Sequence, residues 1–415
     1  MQLLANGLEA EDKWIAAAGD IQCAFLTGGY LARGEDLFLH QPRTGFPNLL
    51  PGQLVRIKKN IFGLATSPHE WWLDLQAGMY KAEVDYHEET YKFDQCPLDP
   101  CIFVLKKFKY GKFEGRPLAY VGSHVDDLLI IAGKKVNKLV QGALSSIFPI
   151  DKWEENHLDY IGSEIICGEN EILVTQQKYA ETRLFTLEVP RGADEEDQAG
   201  PDLIADNQSL IGALSWLSAQ TRPDLTCSVS LAQQLQKAPT IADIKFTNVI
   251  SARALEYKAE GLRFRPIPDA DFGIIVYHDA AWANALLEDE EDEDFKLTAS
   301  DHENGLQREG PFGSHRERKA KRLNSKVASQ IGALVLFADM NSVKNGKGAF
   351  SIGDWRSRAG QRVCRSTFGA ETQACVEGLE GAQYMRSFIE TLKDGVLRAF
   401  QECLRIEDWQ STLQL

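Results

Sequence analysis

Apolar residues recur along this chain with two different periods. Trp71, Trp72, Leu75 and Met79 fall on one face of a helix, and Ser67 and Pro68 stand where an N-cap and a first-turn proline would open it. The segments CIFVL (101–105) and LAYVGSHVDDLLIIAG (118–133) are rich in β-branched and aromatic residues instead. The second interrupts its apolar run with a charged pair, the pattern of a hairpin with buried arms and a polar tip. Residues 134–148 read as a helix, and DYIGSEIICGENEILVTQ as a second hairpin turning at Gly168–Asn170. Before these, residues 1–40 predict a short helical start and a strand over DIQCAFL that ends in the turn Gly28-Gly29.

The pattern then shifts. Residues 186–206 are acidic and loop-like, and LIGALSWL begins a run of helices. The first helix should stop before Pro223, because the residue preceding a proline avoids the helical region. Residues 225–236 and 240–259 continue helically, and β structure returns at 272 with FGIIVYHDA. The stretch 286–328 has few apolar residues and charges of both signs, which predicts a disordered or mobile insertion. Structure resumes at QIGALVLFADM, GKGAFSIGDW and VCRSTF, followed by a long helix from about Ala370 to Leu392. No internal repeat is visible.

Composition narrows the class. The 415 residues suffice for two or three domains, and 44% hydrophobic with 25% charged residues describes a soluble globular chain. A net charge of −15 is awkward for a protein that grips phosphates, but charge acts through its distribution. Acidity is concentrated at Glu288 to Asp294, whereas basic residues cluster at Lys58-Lys59, at Lys106, Lys107 and Lys109, and from Arg316 to Arg322. No apolar run approaches a membrane span. The first residues lack the basic-then-apolar order of a secretion signal, so a cytoplasmic or nuclear location is expected, not secretion. The eight cysteines read as reduced thiols. Cys96 and Cys101 have no second Cys/His pair beside them, which favours packing over a four-ligand zinc site.

The sharpest chemical feature is HVDD at 124–127. Adjacent aspartates at a hairpin tip repel each other, and a bound cation offsets the repulsion. Two-metal polymerase chemistry needs such carboxylates from two separate strands, and Asp20, at the end of its own strand-like segment, is the natural partner. A doublet alone is far more often a solvated turn.

The surrounding blocks change that balance. DIQCAFLTGGYLARGEDLFLHQP, LVRIKKNIFGLATSPHEWW, DPCIFVL, HVDDLLIIAG, LDYIGSEI, QQKYAE and LIGALSWLSAQTRPDL resemble, in order, the reverse-transcriptase region of Ty1/copia-type retrotransposon Pol polyproteins. The resemblance implies an α+β fold. A polymerase palm-type antiparallel sheet with helices (1–185, fingers missing) would lead into a helical thumb or connection (186–265). An RNase H-like α/β domain (266–415), carrying the acidic insertion, would follow. The implied function is RNA-directed DNA polymerase with a partial RNase H, using Mg²⁺ or Mn²⁺, two ions per active site. RNA template, DNA primer and dNTPs are the implied partners, with other retroelement proteins as further candidates and no membrane.

The resemblance assigns metal-binding, catalytic roles to Asp20, Asp126 and Asp127. It places Phe25 where an aromatic ring excludes a ribose 2′-hydroxyl, and Ser67, Pro68 and His124 at the nucleotide and template. Tyr160, Ile161 and Gly162 match the primer-grip turn, where close backbone approach favours glycine. The lysine clusters are candidate phosphate contacts. YHDAAWAN (277–284) and WRSRAGQRVCRSTFGAETQA resemble RNase H blocks, making Asp279 and Glu371 metal-binding carboxylates, and IEDWQST offers Asp408 as a third.

Departures from the family pattern limit these expectations. His124 stands where the family usually has Tyr, and Ala65-Thr66-Ser67-Pro68-His69 replaces a more basic Lys-Gln-Ser-Pro-Arg. The chain starts just upstream of Asp20 and stops at Leu415, so a fingers segment and the end of the RNase H fold are expected to be lacking. The competing expectation is a catalytically inactive retroelement fragment, or a remnant that only binds nucleic acid or protein.

Overall fold

The long apolar run of β8 (Asp127–Gly133) fixes the centre of the first sheet. Every residue from Leu128 to Gly133 is buried, as expected of a strand covered on both faces. The computed structural model describes residues 1–31, 36–281, 329–360, 364 and 366–394. These residues form an α+β fold with antiparallel sheets, and no described helix is long and apolar enough to cross a membrane. The chain divides into an N-terminal unit, mainly Leu3–Ile161, and a C-terminal unit, mainly Glu171–Arg386.

The N-terminal unit holds a seven-stranded sheet ordered β4-β5-β6-β7-β8-β1-β9. Its strands are β1 (Trp14–Ile21), β4 (Glu83–Tyr86), β5 (Glu89–Gln95), β6 (Ile102–Lys109), β7 (Lys112–His124), β8 and β9 (Ile150–Glu155). The short strands β2 (Leu37–Leu39) and β3 (Val55–Ile57) pair separately. Besides the short helices α1 (Gln2–Asn6) and α2 (Ala24–Thr27), the unit contains α3 (Ser67–Lys81) and α4 (Lys134–Ser145). Trp71, Leu75 and Met79 of α3, with Val140 and Leu144 of α4, join Phe93, Phe103, Leu105 and Ile130 of the sheet in one core. The helical spacing seen in the sequence therefore marks the buried face. Asn137 of α4 is fully buried and donates from Nδ2 to the carbonyls of Ile15 and Ile130, at 3.2 and 3.4 Å, which satisfies a polar group that burial would otherwise penalise.

In the C-terminal unit, helices α6 (Pro201–Gln220), α7 (Thr226–Leu235) and α8 (Ile241–Glu256) bury Leu210, Leu214, Val229, Ile244 and Ile250 against one another. Strand β11 (Ser163–Cys167) and the short helix α5 (Gln177–Arg183) precede them, and β12 (Ile172–Thr175) pairs antiparallel with β13 (Leu262–Phe264). Helix α6 stops just before Arg222-Pro223, as proline chemistry requires. Helix α8 opens with a capping box, in which Thr240 and Asp243 satisfy each other's backbone donors. A three-stranded antiparallel sheet, β14 (Phe272–Ala281), β15 (Gln330–Asp339) and β16 (Phe350–Ala359), follows. Helix α9 (Met340–Lys344) lies between its last two strands, and the long α10 (Thr367–Asp394) comes after them. The Gln330 side chain knits this sheet to α7. Its Nε2 donates to Ser230 Oγ and Ser357 Oγ at 2.9 Å each, and its Oε1 accepts from Gln234 at 3.1 Å.

Two local expectations change. DIQCAFL is not one strand: β1 ends at Ile21, Cys23 takes a left-handed φ of 52°, and Ala24–Thr27 are helical. Strand periodicity does not reveal such a reversal, because Ala24 and Phe25 are buried either way. Thr66, not Ser67, is the N-cap of α3. The expected mobile insertion at 286–328 and the basic run from Arg316 to Arg322 lie outside the described residues, as do Val363 and Arg365 of VCRSTF.

Candidate active site

β1 and β8 run antiparallel with Ala18 opposite Leu129 and Asp20 opposite Asp127. Asp20 thus ends β1 beside the turn that joins β7 to β8, where His124 pairs with Asp127. The register, not the sequence distance, brings the carboxylates to one edge. Val125, the first residue of the turn, holds a left-handed φ of 56°, an outlying conformation for a β-branched side chain. Both turn carbonyls are taken: Ile21 N–H donates to Asp126 O at 2.9 Å, and Trp71 Nε1–H donates to Val125 O at 2.6 Å.

The charges act on one another. Burial pushes the Asp20 carboxyl above its ordinary value, and the negative Asp126 pushes it further. Burial, then Asp126 and Asp20, do the same to Asp127, against a smaller opposing pull from His124. Carboxylates raised by burial and by a neighbouring negative charge at one edge are what a cation would relieve, and an all-oxygen donor set suits a hard divalent ion. Among the described residues, however, no three His, Cys, Asp or Glu side chains are gathered in a metal-holding arrangement. The three aspartates share an edge without closing on a common point.

The remaining candidates separate into buried and exposed groups. Phe25 is 6% exposed, belongs to the core of the N-terminal unit, and meets the exposed Phe62 ring edge-on at 4.7 Å. The Ser67 hydroxyl is buried and donates to Ile61 O at 2.8 Å, which ties the preceding loop to α3. Pro68 and His124 are exposed.

Tyr160 ends β10 (His157–Tyr160), and its phenol lies 3.6 Å from the position a Cβ on Gly122 of β7 would occupy. Burial raises the Tyr160 phenol well above its ordinary range, with the Asp127 charge as a further cause. Ile161 and Gly162 both have positive φ, 53° and 70°. A Cβ at Gly162 would meet nothing within 4 Å, so glycine serves the turn geometry there and not close approach.

The lysines are mostly engaged within the protein. Lys107 pairs with Glu89 at 2.7 Å, Lys106 is buried, and Lys59 donates to Leu26 O at 2.9 Å beneath the Tyr30 ring. Strand β6 starts at Ile102 opposite Gly122, near the carboxylate turn, and ends at Lys109 opposite Lys112. At about 3.3 Å per residue, Lys107 therefore lies roughly 17 Å along the strand from that end. Lys58 is exposed.

In the C-terminal unit, Asp279 of β14 lies opposite Gly332 and is exposed, while Glu371 sits half-buried in the first turns of α10. Ala280 packs with Ala370 and Ala374, and a Cβ on Gly378 would come within 2.9 Å of Val276 and 3.3 Å of His278. Strand alternation thus turns Val276, His278 and Ala280 toward α10 and leaves Asp279, with exposed Tyr277, on the opposite face. The structure does not bring Asp279 and Glu371 to one face. Asp408 lies outside the described residues.

No family model matches the chain. It is 25% identical over 248 residues to the Retrovirus-related Pol polyprotein from transposon RE2 of Arabidopsis thaliana, and 23% identical over 249 residues to that from transposon RE1 of the same plant. Both matches support a retrotransposon Pol. Each covers 56% of this chain but only 16% and 15% of those relatives, so the chain spans a small part of a Pol polyprotein's length.

The sequence pattern does not reveal the parts played by two residues, Trp71 beside the carboxylate turn and Arg222 among the helices of the C-terminal unit. In the sequence Trp71 belongs to an apolar face, and nothing in helical spacing signals that its indole N–H reaches a turn 54 residues away. Arg222, within the TRPD block, is 97% buried by its neighbours, since its side chain is only 3% exposed. Its partner Asp224, two residues on, was the available hint.

Proposed function

We propose that the chain carries the catalytic palm of a Ty1/copia-type RNA-directed DNA polymerase, with Asp20, Asp126 and Asp127 as its carboxylates. The observation that carries this reading is the register that sets Asp20 directly opposite Asp127 beside a turn containing Asp126, with burial and the neighbouring Asp126 charge raising both Asp20 and Asp127. Two divalent ions of the Mg²⁺ or Mn²⁺ kind, held by these oxygens, would activate the primer 3′-hydroxyl and stabilise the leaving pyrophosphate. The chain's own residues hold the carboxylates at one edge, where burial and the neighbouring aspartates favour the protonated form until a cation offsets them. They present exposed His124 and Pro68 to solvent for nucleotide and template. The turn after Tyr160 would support the primer. The proposal rests on this site alone; Asp279 and Glu371, which share no face, carry no part of it.

A second reading, a folded but catalytically silent retroelement remnant, is favoured by the absence of a gathered metal-binding cluster among the described residues. Primer extension on an RNA template with Mg²⁺ or Mn²⁺, comparing the chain with Asp126→Asn, separates the two. Extension that disappears in the variant establishes the polymerase. No extension from a folded wild-type chain establishes the remnant.

A further inference from the structure

We propose that Trp71 is the positioning residue of the carboxylate turn, holding Val125 in its left-handed conformation so that Asp126 and Asp127 stay opposite Asp20. This inference rests on the polymerase reading only for its catalytic consequence; the structural claim stands on its own geometry. The turn has only two linking residues, and L side chains with a branched Cβ resist a φ of 56°. Such a conformation persists only where the surroundings over-determine it.

Two bonds do so here. Ile21 N–H holds the Asp126 carbonyl from β1, and Trp71 Nε1–H holds the Val125 carbonyl from α3. Val125 itself is 40% exposed, so side-chain packing contributes little to holding it. Trp71, by contrast, is 3% exposed, and its ring meets Phe148 edge-on at 6.3 Å. Phe148 occupies the space above Gly78, where a Cβ would lie 2.3 Å from its ring. A side chain at position 78 would therefore displace Phe148. Gly78, Phe148, Trp71 and Val125 form a continuous packed line from the middle of α3 to the turn. The indole has no contact with a reacting atom; it acts through the backbone of the turn.

The test is amide hydrogen exchange on the full chain with Trp71→Phe, which keeps an aromatic ring and removes the donor. The Ile21 N–H reports on the Asp126 carbonyl, and the Ala17 N–H reports on the body of the same strand. If Trp71 holds the turn, Ile21 exchange accelerates by about tenfold relative to Ala17. Adding Val125→Asn, which tolerates positive φ, should then recover most of that protection. Equal acceleration at Ile21 and Ala17, or no recovery in the double variant, would show a packing role alone and overturn the proposal.

Should Trp71→Phe fail to fold, Val125→Asn alone decides. Relief of a held strain raises the melting temperature, and a lower or unchanged one refutes the strained turn. In primer extension the same series should show kcat reduced about tenfold by Trp71→Phe with KM little changed, and partly restored by Val125→Asn. A wild-type chain that extends no primer would sink the polymerase reading and leave the exchange result to decide the role of Trp71.

Discussion

Arg222→Met is expected to destabilise the helical part of the C-terminal unit by about 2–3 kcal/mol, as built from the terms below. The guanidinium forks onto Asp224 through Nε and Nη2 at 2.8 Å each, and Nη1 donates to the carbonyls of Ala254 and Tyr257 at 3.3 and 2.9 Å. Methionine fills most of the aliphatic volume, so little cavity is left. Charge-assisted bonds contribute about 1.5–3 kcal/mol where both partners are buried. The Asp224 side chain is 39% exposed and rehydrates once its partner has gone. That discounts the fork to about 1 kcal/mol. The two carbonyls belong to the last turn and the C-cap of α8, where a cation also complements the helix dipole, adding about 0.5–1 kcal/mol each. Urea unfolding of the full chain, followed by circular dichroism, reads the effect as a midpoint lowered by about 1 M at unchanged slope. Arg222→Lys keeps the charge but cannot fork, and should recover less than half of the loss. A midpoint shift for Arg222→Met below about 0.2 M would refute the reasoning that the Arg222 bonds to Asp224 and to the end of α8 stabilise these helices.

Other outcomes follow from the same geometry. Asp20 and Asp127 are raised in the folded state, so the fold binds protons that the unfolded chain releases between the ordinary value of 3.8 and the raised ones. Stability contributed by these groups therefore falls as pH rises through that window. The Asp20→Asn/Asp127→Asn double variant should melt above wild type at neutral pH in the absence of divalent ions, with the gap closing as the pH is lowered toward 3.8. A gap that does not change with pH would show that repulsion is not its source. Gln330→Ala strips three hydrogen bonds from a buried network and leaves Ser230, Gln234 and Ser357 to find new partners. It should cost about 2 kcal/mol in urea unfolding, and a cost under about 0.5 kcal/mol would show that water replaces the amide freely.

Much of the architecture follows from local pattern. The apolar arms around Asp126-Asp127 predict the β7–β8 hairpin, Pro223 predicts the end of α6, and the spacing of Trp71, Leu75 and Met79 marks the buried face of α3. These features are legible because solvent exposure repeats with the period of the element that carries it. The candidate site was legible as residue types in family-like blocks. Its geometry was not, because Asp20 and Asp127 meet through a pairing across more than a hundred residues of chain.

Tertiary structure alone decided which polar groups are spent on the fold itself. Ser67, Lys106, Lys107 and Arg222 look available in the sequence, yet they are buried or bonded to neighbours that sequence proximity does not predict, apart from Asp224. It also decided the face of Asp279, since the packing of Ala280 against α10 turns the adjacent side chain the other way. Local sequence determines which elements form and which of their faces are apolar. Long-range packing determines which side chains meet, because a buried donor takes whatever acceptor the folded backbone brings within reach.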